Sequence, residues 1–288
     1  MTSNMKKPLV ITAMIAVAVA MGWQPAKAQL RLPPASSSQT VTQSLGISTV
    51  TLTYSRPNLN GRKIFGGLEP YDQVWRTGAN GIPKLTFDGA VTIAGTKVDA
   101  GTYGLLTIPG TDKWTVILSK NSEQWGAYTY KQEEDLFRFE VKPEQLDKPV
   151  ETFTISFSDV KPQSARLNIA WENTKISFDL MVDQDAEIMA SIDEAMKSEK
   201  KPYFQAAQYY YNNDKDIQKA LEWANEADQA AANPAPYIKY WRARIHLKAG
   251  DKRGAIRIAR QGVEIAKQQN NPEYVKLNGQ VIAEAAQQ

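Results

Sequence analysis

The chain has no cysteine and one histidine in 288 residues. The first absence excludes disulfides, thiol catalysis and thiolate metal sites together. The second nearly closes histidine chemistry. His246 sits near the end of a helical pattern late in the chain, so no Ser-His-Asp set and no zinc site of the ordinary His/Cys type can form in the preceding β-rich part. No D-x-[DN]-x-[DN]-G calcium loop and no G-x-x-x-x-G-K-[ST] phosphate loop occurs either. No metal and no cofactor is expected.

A long hydrophobic run is also missing. The apolar stretch from Pro8 to Met21 is 14 residues, short of the roughly 20 that a spanning helix needs. It follows Lys6 and Lys7 and precedes Ala26-Lys27-Ala28, a small-x-small cleavage pattern. Residues 1–28 therefore read as a secretory signal, with the mature chain beginning at Gln29. The expectation is an exported protein, periplasmic or extracellular, with no transmembrane anchor after cleavage and no lipid anchor, because no cysteine follows the apolar run. An excess of one charge is lacking too. The chain carries 34 basic and 31 acidic residues. Removing Lys6, Lys7 and Lys27 leaves 31 of each, which argues against a nucleic-acid partner.

What is present is two kinds of periodicity. From Gln39 to Val182 apolar residues alternate: Val50-Leu52-Tyr54, Trp114-Val116-Leu118, Phe137-Phe139-Val141, Phe153-Ile155-Phe157, Leu167-Ile169-Trp171 and Ile176-Phe178-Leu180. Each reads as one face of a half-buried strand. Between them lie turn residues: Ala94-Gly95-Thr96, Asp99-Ala100-Gly101, Pro109-Gly110-Thr111-Asp112, Asp147-Lys148-Pro149 and Glu172-Asn173. Short strands at this spacing without intervening helices predict an antiparallel sandwich over 33–182.

From Asp183 the period becomes 3.6. Ile188, Met189, Ile192, Ala195 and Met196 mark a first helix, with Asp183, Asp185 and Glu187 at its start and Lys197, Lys200 and Lys201 at its end. Helix pairs follow at 202–213 with 216–232, and at 236–249 with 251–269; a last helix carries Tyr274, Leu277, Val281 and Ala285. The pairs repeat at an offset of 35: Asp216 with Asp251, Ala220 with Ala255, Ala224 with Ala259, Ala231 with Ala266. The second pair resembles a tetratricopeptide repeat, although the Trp-x-x-Leu-Gly opening is absent and two pairs fall below the three an independent solenoid needs. The fold class is thus multidomain: an all-β antiparallel sandwich, then an all-α helical-repeat-like domain over 183–288 with two tetratricopeptide-like pairs.

The densest chemistry lies between Tyr54 and Asn80. Arg56, Arg62, Lys63 and Arg76 stand there with Tyr54, Phe65, Tyr71 and Trp75 in a Gly- and Pro-rich stretch. Residues 56–73 are too long for a hairpin turn. The functional reading is a polar loop site of Arg56, Arg62, Lys63, Tyr71, Trp75, Arg76 and Asn80, recognising a small polar or anionic ligand or a glycan by guanidinium forks and ring stacking. The structural reading is a buried Arg network that fixes the loop, with Tyr54, Trp75 and Trp114 as core aromatics. No catalytic residue stands out. The leading expectation is a non-enzymatic binding or scaffold module of the cell envelope. One alternative is a carboxylate-dependent glycan hydrolase using Glu69, Asp72 and Asp88, were these to line one cleft. Another is partner-peptide or envelope-protein binding along Tyr209, Tyr210, Trp241 and Ile245, were these to form an exposed groove.

Several stretches in the β-rich half carry a family likeness: Tyr54-Ser-Arg-Pro57, Gly61-Arg-Lys-Ile-Phe-Gly-Gly-Leu68, Val74-Trp-Arg-Thr-Gly-Ala-Asn80, Ala100-Gly-Thr-Tyr-Gly-Leu105, Trp114-Thr-Val-Ile117, Trp125-Gly-Ala-Tyr128, Glu151-Thr-Phe-Thr154 and Trp171-Glu-Asn-Thr-Lys175. Together they resemble a bacterial family catalogued as domain of unknown function 2911, over roughly residues 33–182. The resemblance implies export and a β-rich fold and supplies no activity. One departure stands at Gly81, where that pattern commonly has an acidic residue.

Overall fold

The computed structural model describes residues 32–287. The signal segment read at 1–28 lies outside the described residues. The chain divides into two compact units on either side of the Val182–Asp183 junction.

The first unit is a sandwich of two antiparallel sheets. One contains, in spatial order, β1 (Ser37–Leu45), β2 (Ser48–Arg56), β3 (Lys84–Phe87), β6 (Gly101–Ile108), β7 (Trp114–Ser119) and β8 (Asp135–Val141). The other contains β5 (Thr96–Val98), β4 (Val91–Ile93), β10 (Ser164–Met181) and β9 (Glu144–Lys161). Alternation decides which side chains go inward. In β2, Val50, Leu52 and Tyr54 are buried while Thr49, Thr51 and Thr53 are not. Their partners in β7 and β10, among them Val116, Leu118, Leu167 and Ile169, complete one core between the sheets. Each fully buried Leu, Ile or Phe there contributes roughly 1.5–3 kcal/mol relative to exposure. Ala94 and Gly95, both at positive φ, form the two-residue turn joining β4 to β5.

Two expected breaks are not turns. Glu172-Asn173 lies inside the single strand β10, as a bulge where the pairing with β9 shifts register. Glu172 takes φ +52 there, which bends the strand instead of ending it. Asp147-Lys148-Pro149 likewise lies inside β9. A proline is tolerated because β9 is an edge strand, with one side free of ladder hydrogen bonds.

The second unit consists of α1 (Asp185–Ala195), α2 (Tyr203–Asn212), α3 (Ile217–Ala230), α4 (Pro236–Lys248), α5 (Lys252–Gln268) and α6 (Pro272–Gln287). The two aspartates 35 residues apart do the same work. Asp216 accepts from Gln218 N and Lys219 N at the start of α3, and Asp251 accepts from Gly254 N at the start of α5. Ala220, Ala224, Ala255 and Ala259 are all buried, so neighbouring helices approach closely. Helix α1 stops short of Lys197, Lys200 and Lys201. The Ser198 hydroxyl donates to Ala195 O at 2.7 Å and closes the last turn locally. Tyr210 and Ile245 belong to the helical core, Tyr209 donates its hydroxyl to Asp185 Oδ1, and Trp241 packs edge-on against Tyr211. Those four residues therefore do not form an exposed groove. Among the described residues no helix is long and apolar enough to cross a membrane.

Candidate functional site

The loop of residues 57–83 runs between β2 and β3 and is held from several sides. Pro57 O accepts from Phe153 N, Asn58 pairs with Thr152, and Leu59 N donates to Glu151 O. The carboxylate of Glu151 accepts from Asn60 N at 2.9 Å. The carboxylate of Glu172 accepts from both Ile64 N and Phe65 N, at 3.1 and 3.2 Å. The bulge in β10 thus delivers Glu172 to the loop backbone. Further along, Trp75 exchanges both backbone hydrogen bonds with Thr107, and the Thr77 hydroxyl meets that of Thr107 at 2.9 Å.

This network holds unusual backbone. Asn60, Asp72, Thr77 and Asn80 all have φ between +48 and +61, and Gly61, Gly66 and Gly78 have larger positive values. Thr77 is the exceptional one, since a β-branched residue resists that region. At Gly78 a Cβ would come 3.0 Å from Ser55 O and 3.3 Å from the Phe153 ring, so both conformation and space demand glycine. Clusters of strained residues persist only where surrounding structure over-determines them, and they concentrate at functional sites.

The loop lines a cavity of about 340 Å³ that opens to solvent. Its lining includes Asn58, Asn60, Arg62, Glu69, Arg76, Asn80 and Trp171. Arg62 is anchored by donating from Nε to Leu59 O at 3.0 Å and from Nη2 to Asn58 O. Arg76 donates from Nη1 to Asn80 O at 3.1 Å, and Asn80 Nδ2 donates to Ser55 Oγ at 3.2 Å. Among the described residues, neither arginine has a carboxylate within 4.0 Å. Gly81 supplies no acid beside Arg76. Burial pushes the Glu69 carboxyl above the usual carboxylate range, against the pull of the Arg76 charge and of the Trp75 indole N–H. That N–H makes no hydrogen bond of ordinary geometry, although Trp75 is only 2% exposed.

The seven residues read from the sequence separate into distinct positions. Arg62, Arg76 and Asn80 line the cavity together. Arg56 donates to Phe153 O at 3.1 Å and to Thr154 Oγ1 at 2.9 Å, tying β2 to β9. Trp75 is a core residue that stacks on Trp171. Tyr71 lines a different cavity of about 230 Å³ with Phe65, Trp114 and Gln145. Lys63 is exposed and lines neither. Glu69, Asn58, Asn60 and Trp171 were not among the seven. Glu69 resembles a solvated loop charge in sequence, and only its neighbours Trp75 and Arg76 hint otherwise. Trp171 reads as an ordinary strand residue.

The three acids considered for glycan hydrolysis are not brought together. Glu69 lines the cavity, Asp72 is exposed, and Asp88 accepts from Thr49 N at 2.6 Å and Thr49 Oγ1 at 2.7 Å at the far end of β2. Among the described residues no group of three His, Asp or Glu is arranged to hold a metal ion. No curated protein and no solved structure matches the chain. The family model described as Protein of unknown function (DUF2911) matches residues 36–180, half of the chain, and the chain belongs to that family.

Proposed function

We propose that the chain is an exported cell-envelope protein that works as a non-enzymatic binding module, taking a small polar or anionic ligand in the cavity beneath the 57–83 loop. One observation carries this reading: Arg62 and Arg76 line the same cavity, and among the described residues neither closes on a carboxylate as an ion pair. Guanidinium groups that face a cavity without closing on an acid keep donors for a carboxylate or phosphate oxygen. The signal-like start of the sequence supports export.

Calorimetric titration of the mature chain with a panel of inorganic anions, carboxylates and simple sugars tests the binding. At least one should bind, and Arg62→Ala or Arg76→Ala should weaken it tenfold or more while the variants still fold. Silence across the whole panel would end the binding reading. Fractionation of cells expressing the full chain tests export separately: the shortened product should appear outside the cytoplasm.

A further inference from the structure

We infer that Glu69 makes this cavity selective for an anion that also carries hydrogen-bond donors: a hydroxylated carboxylate the size of one acidic sugar. Arg62 and Arg76 take its carboxylate, and Glu69 accepts from its hydroxyls. The inference rests on the binding reading above and adds to it the class of ligand.

The argument begins with three charges around one space. Arg62, Arg76 and Glu69 line the same cavity, yet the acid and the arginines do not close on one another as ion pairs. A site built only for phosphate or sulfate would gain nothing from a carboxylate, which repels such ligands. A site built only to hold the loop would bring Glu69 onto Arg76. Glu69 does neither, and its burial disfavours its own charge. A group held against its preference in a cavity fits a ligand that brings a donor to it.

The indole of Trp75 provides an independent sign. It is almost wholly buried, its N–H is near enough to the Glu69 carboxyl to lower that group's pKa, and it makes no hydrogen bond of ordinary geometry. Buried donors are nearly always paired. A ligand that draws the carboxylate into position would complete this set.

The rest of the lining suits a sugar ring. Asn58 has its Oδ1 occupied by the Thr152 hydroxyl, which leaves its amide hydrogens to donate. Asn80 has its amide nitrogen on Ser55, which leaves its oxygen to accept. Trp171 closes the lining from below; it is 2% exposed and stacked on Trp75, so recognition falls to the polar groups around it. A volume of about 340 Å³ lies at the small end of ligand sites, which run from about 300 to 1,000 Å³.

The test is calorimetry on the full mature chain with glucuronate, glucose and inorganic phosphate. Glucuronate should bind at least tenfold tighter than either of the others. Glu69→Gln should lose about tenfold in glucuronate affinity and bind phosphate no more weakly than the unaltered chain. Its unfolding temperature without ligand should be unchanged or higher, because the neutral amide sits more easily where Glu69 is buried. Phosphate binding as tightly as glucuronate, or a Glu69→Gln variant with the same preference, would overturn the inference and leave the binding module standing. A lower unfolding temperature in Glu69→Gln would make Glu69 a structural residue, and the inference would fail. The unaltered chain's preference among the three ligands decides the matter even if the variant does not fold.

Discussion

The indole of Trp75 lies nearly parallel to that of Trp171, with ring centroids 5.9 Å apart and 12° between their planes. One ring comes from the long loop and the other from β10. Phe65, Trp114 and Phe153 meet Trp75 edge-on at 5.4–6.2 Å. The loop is therefore nailed into the sandwich core from above. Trp75→Ala should cost about 3–5 kcal/mol, as large-to-small changes at buried aromatics do. Denaturant unfolding of the mature chain, followed by tryptophan fluorescence, measures it. A loss under about 1 kcal/mol would show that the loop holds its place without this anchor.

Glu172 holds the same loop by its backbone. Its carboxylate is the acceptor for two N–H groups, on Ile64 and Phe65, whose side chains are both in the core. Glu172→Ala leaves both donors unpaired, at roughly 2–3 kcal/mol. Glu172→Gln keeps one acceptor oxygen and should lose less. Equal losses in the two variants would mean that the hydrogen bonds are not the source of the stability. Amide hydrogen exchange at Ile64 and Phe65 gives a local readout: protection should fall in Glu172→Ala first.

How far this was legible in the sequence depends on the kind of interaction. Alternation in β2, β7 and β10 and the 35-residue offset between Asp216 and Asp251 follow from local chemistry, so the sandwich and the helical unit could be read directly. The function of Glu172 could not. In sequence it looks like a turn residue beside Asn173; only the bulge shows that it reaches a loop 107 residues away. The arginines show the same limit. Arg56, Arg62 and Arg76 are alike in sequence, and their roles diverge because Arg56 ends a strand facing β9 while the other two sit on the strained loop. Glu69 enters the sequence reading only beside Asp72 and Asp88, because burial, which sets it apart from them, leaves no mark on the residues next to it in the chain.

That divergence among arginines is measurable. Arg56 gives two hydrogen bonds to groups on β9 that have no other charged partner. Arg56→Ala should cost about 1.5–3 kcal/mol, the range for hydrogen bonds from a charged group. Arg76 gives one hydrogen bond, to Asn80 O on its own loop. Arg76→Ala should cost about 1 kcal/mol or less. Unfolding of the two variants under the same conditions should rank Arg56 well above Arg76, and the reverse order would exchange their structural and ligand-facing roles.

His246 gives the helical unit a dependence on pH. Its ring is buried, with Nδ1 2.8 Å from Asp251 Oδ2 and with Nε2 lacking a partner. Burial holds its pKa below the ordinary value of 6.5, although Asp251 pulls it upward and Arg242 and Arg257 push it down. The neutral ring therefore donates from Nδ1 to the carboxylate. Below about pH 6.5 the unfolded chain binds a proton that the folded unit resists, so stability is full above that point and falls as the pH drops. Asp251 acts lower. Gly254 N and His246 hold its carboxyl below the carboxylate range, so its contribution is lost only under more acidic conditions. Between about pH 6.5 and 5 the histidine acts alone of the two. Urea unfolding of the helical unit should show a lower midpoint at pH 5.5 than at pH 7.5. His246→Asn keeps a donor to Asp251 without titrating and should flatten that difference. A midpoint that rises on acidification would mean that the pair gains more from the charged imidazole than burial takes away.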